Sequence, residues 1–425
     1  MKAKTRKRVL SVAMAVMMLA GLTACGEKDG GNSEAKTDDG KTIVTMSYWN
    51  PKETVRPFLD LVEEKLPDIE LQYNYTALNT YSNGVRTKLI SGNGDDIVAF
   101  DNTEIPPLAR QGILGDLTDI TKDFEFSDVD YVDGKVYLVP MNTWYDGIYY
   151  NKDIFEEHNI QVPTTFEELL DACEKLDNAG VKPFTIGASS GGSLFKTAFG
   201  YIEAEYIFQD EGKDFNAKLM KGEASLAESI TPYLEQWSEI VKRGYINKVM
   251  LGISKEQAID EFAVGQAAMY PSGTYAYETF KQKNPNLNFG IMPYMGSTAD
   301  KTALFGGLGG GYCLNARSKN KEAAMKVLEL MASPEGQQAL CQGNPGSYSQ
   351  LKDAKIDLPE EFELVRDTLE AGRVLCMWDE WGTSTAEGTV SNSLQALLLD
   401  PDLDLKAELE KADSQIATYL KSQQE

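Results

Sequence analysis

Residues 43–100, IVTMSYWNPKETVRPFLDLVEEKLPDIELQYNYTALNTYSNGVRTKLISGNGDDIVAF, alternate short apolar segments with longer amphipathic ones. The apolar segments have the length of strands, and the others have helical periodicity. The predicted strands are 43–49, 69–75 and 97–100, and the predicted helices are 53–66, which Pro67 stops, and 81–90. This alternation is typical of a parallel sheet covered by helices, so it predicts an α/β fold.

The same pattern continues along the chain. Further helices are predicted at 164–178, 224–242 and 319–331 and twice near the C-terminus, and Thr165 with Glu168 forms a capping box for the first of them. The chain has 425 residues, which is enough for two domains, because single cores rarely grow beyond about 250–300 residues.

The N-terminus has the layout of an exported lipoprotein. Five basic residues within 2–8 precede an apolar run at 9–22, which predicts a signal peptide over residues 1–24. The run is too short for a spanning helix. The sequence LTAC at 22–25 resembles a bacterial lipobox, so Cys25 is the predicted lipidated N-terminus of the mature protein. This places the protein at the outer face of the cytoplasmic membrane.

A polar segment follows the predicted lipid anchor. Residues 26–41, GEKDGGNSEAKTDDGK, contain one apolar side chain, Ala35. Such a segment buries too little surface to offset the entropy of ordering it. Residues 25–42 are therefore predicted to be a lipidated cysteine and a flexible tether.

Composition excludes several classes of function. The formal net charge of −24 argues against nucleic acid, whose binding depends on clustered Lys and Arg. The single histidine, His158, leaves little basis for metal or acid–base chemistry, and Asp400, Asp402 and Asp404 lack the Gly and Glu of a calcium loop. We therefore predict no metal and no cofactor. The remaining cysteines stand far apart and are predicted to be buried thiols.

Catalytic motifs are incomplete. GASSG at 187–191 matches a nucleophile elbow, but that fold orders its triad Ser, acid, His, and His158 precedes the serine. The glycine-dense FGGLGGG at 305–311 lacks the Lys-Ser/Thr of a phosphate loop. We therefore predict a binding protein that is not an enzyme.

Five segments resemble family-one extracellular solute-binding proteins, the group of the maltodextrin-binding protein. They are GKVYLVP at 134–140, YNKD at 150–153, PTTFEEL at 163–169, FAVGQAAM at 262–269 followed by Gly273, and SPEGQ at 333–337. Two departures stand out: Asp95-Asp96 replaces a Pro-Asp pair, and Phe166 replaces a Trp. Five motifs in the family's order across most of the chain identify it as a member.

The resemblance implies a two-lobed fold with a ligand cleft between the lobes, each lobe a helix-covered, mainly parallel sheet. Lobe one is expected at 43–141 and 289–345, and lobe two at 142–288 and 346–425, with crossings near Pro140, Phe289 and Gly346. It also implies a monomer that captures a carbohydrate, an oligosaccharide above all, closes about these crossings and delivers it to an ABC permease.

A sugar needs flat aromatic side chains for its apolar face and fixed polar groups for its hydroxyls. Such residues stand at predicted strand and loop ends that match ligand-contacting regions of the family. The predicted ligand-binding residues are Trp49, Asn50, Asp96, Trp144, Tyr145, Tyr275, Trp378, Trp381 and Glu380. Trp378 and Trp381 are three apart and either could belong to the core, as Trp237 is predicted to do. Of Tyr149 and Tyr150, neighbours on a strand, only one could face a ligand.

Two other functions are open. The acidic charge and Asp95 are compatible with a receptor for a cationic ligand such as a polyamine. Carboxylate pairs such as Asp379-Glu380 are compatible with a surface glycosidase, a less favoured interpretation because acidic residues are mostly solvated surface.

Overall fold

The computed structural model describes residues 36–126 and 131–422. The predicted signal peptide, Cys25 and most of the predicted tether lie outside these residues. Among the described residues, no helix combines the length and the apolar character needed to cross a membrane.

Twelve strands are present in the described residues. They are β1 Thr42–Tyr48, β2 Ile69–Tyr75, β3 Ile97–Phe100, β4 Val139–Pro140, β5 Trp144–Asn151, β6 Lys182–Phe184, β7 Ala267–Gly273, β8 Phe289–Met292, β9 Tyr294–Met295, β10 Thr302–Gly307, β11 Gly311–Leu314 and β12 Val374–Leu375. The three strands predicted within 43–100 are confirmed to within one residue.

The α-helices alternate with these strands. They are α1 Arg56–Lys65, α2 Leu78–Ile90, α3 Ile105–Arg110, α4 Lys152–Glu157, α5 Phe166–Asn178, α6 Gly192–Ile202, α7 Phe215–Leu219, α8 Leu226–Trp237, α9 Glu239–Lys242, α10 Lys255–Ala263, α11 Tyr277–Lys283, α12 Lys321–Ala332, α13 Pro334–Gln342, α14 Arg366–Glu370, α15 Ser384–Leu397 and α16 Leu405–Ser422. A π-helical turn, Glu203–Ile207, extends α6, and a short 3-10 helix covers Met377–Trp381.

Helix boundaries follow the local sequence. Helix α1 starts with Pro57 in its first turn and ends before Pro67, which has no N–H to continue it. At α5, the Thr165 hydroxyl accepts a hydrogen bond from the Glu168 N–H at 3.2 Å. The Glu168 carboxylate accepts hydrogen bonds from the N–H and the hydroxyl of Thr164. A capping box would have it accept from the N–H of Thr165 instead. Thr165 is thus the N-cap, and the reciprocal half of the predicted capping box is shifted.

The first sheet has the order β2-β1-β3-β11-β4. Strands β2, β1 and β3 are parallel, and β11 and β4 join antiparallel. The second sheet has the order β12-β10-β5-β7-β6, with β8 paired to β5 and β9 to β10. Most of its pairings are antiparallel. The prediction of mainly parallel sheets is therefore corrected: both sheets are mixed, because strands that return from the other lobe run against their neighbours.

Each sheet has its own core. The first sheet packs in a cluster that includes Phe58, Phe100 and Leu328. The second packs in a larger cluster that includes Phe199, Trp237 and Leu394, so the prediction that Trp237 belongs to the core is confirmed. Two cores with helices on their sheets give the predicted two-lobed α/β architecture.

The second predicted crossing is misplaced. Strand β8, the apolar FGIM at 289–292, pairs with β5 in the second sheet, and β10 does the same. Phe289, Ile291 and Phe305 are buried in the second core, whereas Leu308 and Tyr312 belong to the first. The chain therefore passes between the sheets at 308–310, and residues 289–307 belong to the second sheet.

The described cysteines are free thiols. Cys173, Cys313 and Cys376 are buried, as predicted, and Cys341 is half-buried. Burial raises the pKa of the Cys341 thiol to about 11. These thiols therefore stay protonated and act as small apolar side chains.

Candidate functional site

An aromatic cluster lies where β5 begins. Successive side chains of a strand point to opposite faces, so Trp144 and Asp146 share one face and Tyr145 takes the other. The Trp144 ring lies 6.5 Å from that of Tyr275 and 6.4 Å from that of Phe305. Trp144 is half-buried and Tyr275 is 42 % exposed, so both rings offer free surface.

Lys196, on α6, lies at the centre of this cluster. Its Nζ is 4.7 Å from the Trp144 ring centroid, 5.2 Å from that of Tyr275 and 5.9 Å from that of Trp378. All three distances fall within the range of cation–π attraction. The ammonium therefore sits in a frame of three aromatic rings.

A polar network fixes this ammonium. The Lys196 Nζ lies 3.1 Å from Asp146 Oδ2 and donates a hydrogen bond of 3.1 Å to the Tyr275 hydroxyl. The Tyr275 hydroxyl in turn donates to Asp146 Oδ2 at 3.0 Å. Asp146 is 2 % exposed, and its other oxygen, Oδ1, has no hydrogen-bond partner among the described residues. Gly273 permits this packing, because a Cβ there would lie 2.4 Å from Asp146 Oδ1.

The network keeps Lys196 charged. Burial opposes the charge, but Asp146 and Tyr275 outweigh it and raise the pKa of the Lys196 ammonium. Desolvation of its hydroxyl, together with the charge of Asp146, raises the pKa of the Tyr275 phenol, so this group stays protonated. The site therefore presents a fixed cation, a phenol and a carboxylate.

A second lysine also contacts Tyr275. Lys255, the first residue of α10, places its Nζ 4.0 Å from the Tyr275 ring centroid. No described carboxylate lies within ion-pair distance of it. Burial and the neighbouring Lys196 lower the pKa of the Lys255 ammonium.

Trp378 joins the cluster from the 3-10 helix at 377–381. Its ring lies 4.7 Å from that of Phe305 and 5.2 Å from that of Phe195, which leaves it half-buried. Glu380, on the same turn, is half-buried and has interactions of its own. The structure thus brings together Trp144, Tyr275 and Trp378 of the predicted site residues.

The passage between the sheets borders this cluster. A Cβ on Gly309 would lie 2.7 Å from Trp144 Nε1, and one on Gly310 would lie 2.0 Å from the Phe100 carbonyl oxygen. Gly310 also has a φ of +129°, which side-chain-bearing residues rarely adopt. Asn102 donates to the Leu308 carbonyl at 2.8 Å. Gly309 and Gly310 therefore connect the cluster to the carboxyl end of β3.

Trp49 and Asn50 lie at the carboxyl end of β1, in the first lobe. The Trp49 ring packs 4.8 Å from Tyr48 and 5.3 Å from Tyr81, and Trp49 stays half-buried. The Asn50 side chain donates to the Tyr48 hydroxyl at 3.0 Å. Among the described ring pairs, none joins Trp49 to the second-lobe cluster. Trp49 and Asn50 thus lie at a strand edge of the first lobe, whereas the aromatic cluster belongs to the second lobe.

Asp96 is separate from both groups, and its ligand role stays a prediction. It precedes β3, level with Thr45 of β1, about 13 Å along the strand from Trp49 at roughly 3.3 Å per residue. Its carboxylate accepts hydrogen bonds from the Thr45 N–H and hydroxyl and from the Ser318 hydroxyl. Its acceptors are used within the fold, so Asp96 holds β1, β3 and the start of α12 together.

Two further predicted residues are core. Tyr145 is 0 % exposed and packs against Tyr348 and Phe362. Trp381 is 0 % exposed and packs edge-on against Phe195 and Phe199, both at 5.5 Å. The choice left open for the tryptophan pair is thus resolved: Trp378 faces the cluster and Trp381 does not. Tyr149 and Tyr150 are both buried.

A groove of about 930 Å³ lies elsewhere, between α13 and residues 345–359. Its described lining has Tyr348 as the single aromatic side chain. A ring-stacking surface is what a sugar face requires, so this groove is the poorer candidate.

Sequence reasoning missed Asp146, Lys196 and Lys255. The signal for Asp146 was present, because strand alternation gives it the face of Trp144. Lys196 and Lys255 belong to no recognised sequence motif. Their positions depend on how α6 and α10 pack against β7. Among the described residues, no cluster of His, Cys, Asp and Glu could hold a metal ion.

Comparisons with known proteins agree with this architecture. The family model for bacterial extracellular solute-binding proteins matches residues 48–338, well over half of the chain. The melibiose/raffinose/stachyose-binding protein of Bacillus subtilis is 24 % identical over 406 residues, 92 % of each chain. The multiple sugar-binding protein of Streptococcus mutans is 23 % identical over 333 residues, 75 % of this chain and 76 % of its own.

Solved structures share the fold. A family 1 extracellular solute-binding protein from Bifidobacterium longum subsp. infantis superposes with a TM-score of 0.71 at 23 % identity. The match covers 89 % of this chain and all of that one.

Proposed function

Because the chain belongs to the bacterial extracellular solute-binding proteins, we propose that it captures a carbohydrate between its two lobes and delivers it to an ABC importer. The sugar-binding names of its Bacillus subtilis and Streptococcus mutans relatives support this ligand class. No turnover is part of the proposal: the protein binds its ligand and releases it unchanged to the permease.

The frame of Trp144, Tyr275 and Trp378 around Lys196 carries the proposal. Aromatic rings offer stacking surface for the apolar face of a sugar. The Lys196 ammonium has three N–H groups, of which Asp146 and Tyr275 take two, so one remains for a ligand oxygen. Stacking surface beside a fixed donor is the combination that orients a sugar ring.

Closure would complete the site. Trp49 and Asn50 stand at the strand edge of lobe one, and the passage at 308–310 joins that lobe to the aromatic cluster. We propose that the lobes rotate about this passage and the crossings near Pro140 and Gly346, so that Trp49 covers the sugar from the opposite side. We also propose that the protein acts as a monomer.

A ligand panel tests the proposal. We expect some neutral or acidic mono- and oligosaccharides to raise the Tm of the protein, because a ligand that binds the native state stabilises it by mass action. The measurement is differential scanning fluorimetry with the saccharides and, in parallel, with putrescine and spermidine. Stabilisation by polyamines with no response to any saccharide would refute the carbohydrate assignment.

The structure disfavours the cationic alternative. A polyamine site needs carboxylates that face the ligand, whereas two ammonium groups contact Tyr275 here and Lys196 already engages the Asp146 carboxylate. Asp95, which motivated that alternative, is half-buried and accepts a hydrogen bond from the Asn74 side chain at 2.8 Å. A cationic ligand in the aromatic frame would be repelled by the Lys196 ammonium.

We further propose that Cys25 is lipidated and holds the protein at the outer face of the cytoplasmic membrane. We expect Cys25→Ala to release the protein from the membrane, because the acyl chains supply most of its affinity for the bilayer. Detergent-phase partitioning of cells expressing each form measures this. Retention of the variant at the wild-type level would contradict the anchor.

A further inference from the structure

Two lysines share one tyrosine in the proposed ligand site. Lys196 donates to the Tyr275 hydroxyl at 3.1 Å, and Lys255 lies over the face of the same ring at 4.0 Å. They belong to different helices, α6 and α10, so their proximity comes from packing of the fold and not from a local charge run.

Their charges are unequally balanced. Asp146 forms an ion pair with Lys196, whereas the Lys255 ammonium lies over the face of the Tyr275 ring. A cation–π contact does not neutralise an ammonium. Desolvation and the repulsion from Lys196 lower the pKa of the Lys255 ammonium, whereas the carboxylates of Asp146 and Glu256 act in the opposite direction. The protein as a whole carries a net charge of −24, so two ammonium groups in contact with one tyrosine are an unusual local arrangement.

The N-terminus of α6 adds to the same potential. This helix has eleven residues, and its N-cap is Gly191, which has no side chain to cap the first turn. Ser189 and Ser190, just before it, are exposed. This loop touches Lys255: a Cβ on Gly187 would lie 2.7 Å from the Lys255 Cα, and the Ser189 N–H donates to the Ile253 carbonyl at 3.1 Å. A helix N-terminus carries partial positive charge, so it reinforces the lysine pair.

We propose that the carbohydrate taken by this site carries an anionic group, and that Lys255 binds it. An acidic saccharide, such as a uronate, would stack its ring in the aromatic frame, and one of its hydroxyl oxygens would accept a hydrogen bond from Lys196. Its carboxylate would lie between Lys255 and the start of α6. This inference rests on the proposed carbohydrate function and adds the substrate class. The acidic side chains on the Trp378 turn, Asp379 and Glu380, have interactions of their own.

Matched neutral and acidic saccharides test this inference. The probes are galactobiose with digalacturonate, and xylotriose with glucuronate-substituted xylotriose. Calorimetric titration of the mature protein should show at least one acidic probe binding about tenfold or more tightly than its neutral partner, because an ionic hydrogen bond exceeds a neutral one. This advantage should shrink as salt rises, since the groups are partly open to solvent.

Lys255→Met keeps the aliphatic stem over Tyr275 and removes the charge. It should cost the acidic probe about tenfold in affinity and change that of its neutral partner by less than about twofold. Lys242→Met, which removes a surface lysine paired with Glu239 on α9, is the matched control and should change neither affinity. Unchanged Tm values of both ligand-free variants would confirm that the fold is intact.

The outcomes separate this inference from the function on which it rests. Tighter binding of the neutral partners, or an acidic preference that survives Lys255→Met, would overturn the acidic class and leave carbohydrate capture standing. Absence of binding by every saccharide in the wider panel would refute the proposed function itself, and the acidic class with it.

Discussion

Trp144→Ala is expected to weaken binding of the best saccharide about thirtyfold or more, which corresponds to a loss of at least about 2 kcal/mol. Trp144 belongs to both halves of the site: its ring stacks beside Tyr275, and it lies 4.7 Å from the Lys196 ammonium. Removing it takes away stacking surface and also the aromatic face that stabilises the cation. Calorimetric titration of the variant measures the loss.

Two controls separate binding from folding. Trp144→Phe keeps a smaller stacking surface and should recover part of the affinity. Tyr131→Ala removes an exposed aromatic ring that contacts Phe126 outside the cluster, and it should leave affinity unchanged. Because Trp144 is half-buried, the ligand-free Tm of Trp144→Ala should fall little. Wild-type affinity in this variant would show that the aromatic frame is not the ligand site.

Trp381→Ala is expected to act on stability instead. This residue is fully buried against Phe195 and Phe199, and truncating a buried Trp costs roughly 3–5 kcal/mol because a cavity remains. Thermal unfolding of the ligand-free variant should therefore show a clearly lower Tm, whereas Trp381→Phe should recover most of it. A variant that melted like wild type but bound its saccharide poorly would return Trp381 to the ligand site.

Periodicity and turn chemistry allowed much of the fold to be predicted. The strands at 69–75 and 97–100 match the structure: the first alternates apolar with exposed polar side chains, and the second is apolar and buried throughout. Strand pairing was not predictable in the same way. Strand β8 is as apolar as β3, and only its pairing with β5 shows which lobe it joins.

The site residues show the same difference between what local sequence predicts and what only the packing reveals. Trp144 and Tyr275 were found because aromatic residues at strand ends point to a cleft. Asp96 is hydrogen-bonded within the fold and Trp381 is buried, and an acidic or aromatic residue type near the expected edge does not reveal this in advance. Lys196 and Lys255 could not be predicted, because only the packing of α6 and α10 places both ammonium groups beside Tyr275.

The crystal structure of the protein with its best-binding saccharide tests the central claim most directly. We expect a sugar ring in van der Waals contact with the Trp144 ring, a sugar oxygen about 3 Å from the Lys196 Nζ, and Trp49 brought toward the opposite face. A saccharide bound in the groove beside α13, or anywhere that leaves Trp144 and Lys196 without contact, would contradict the account.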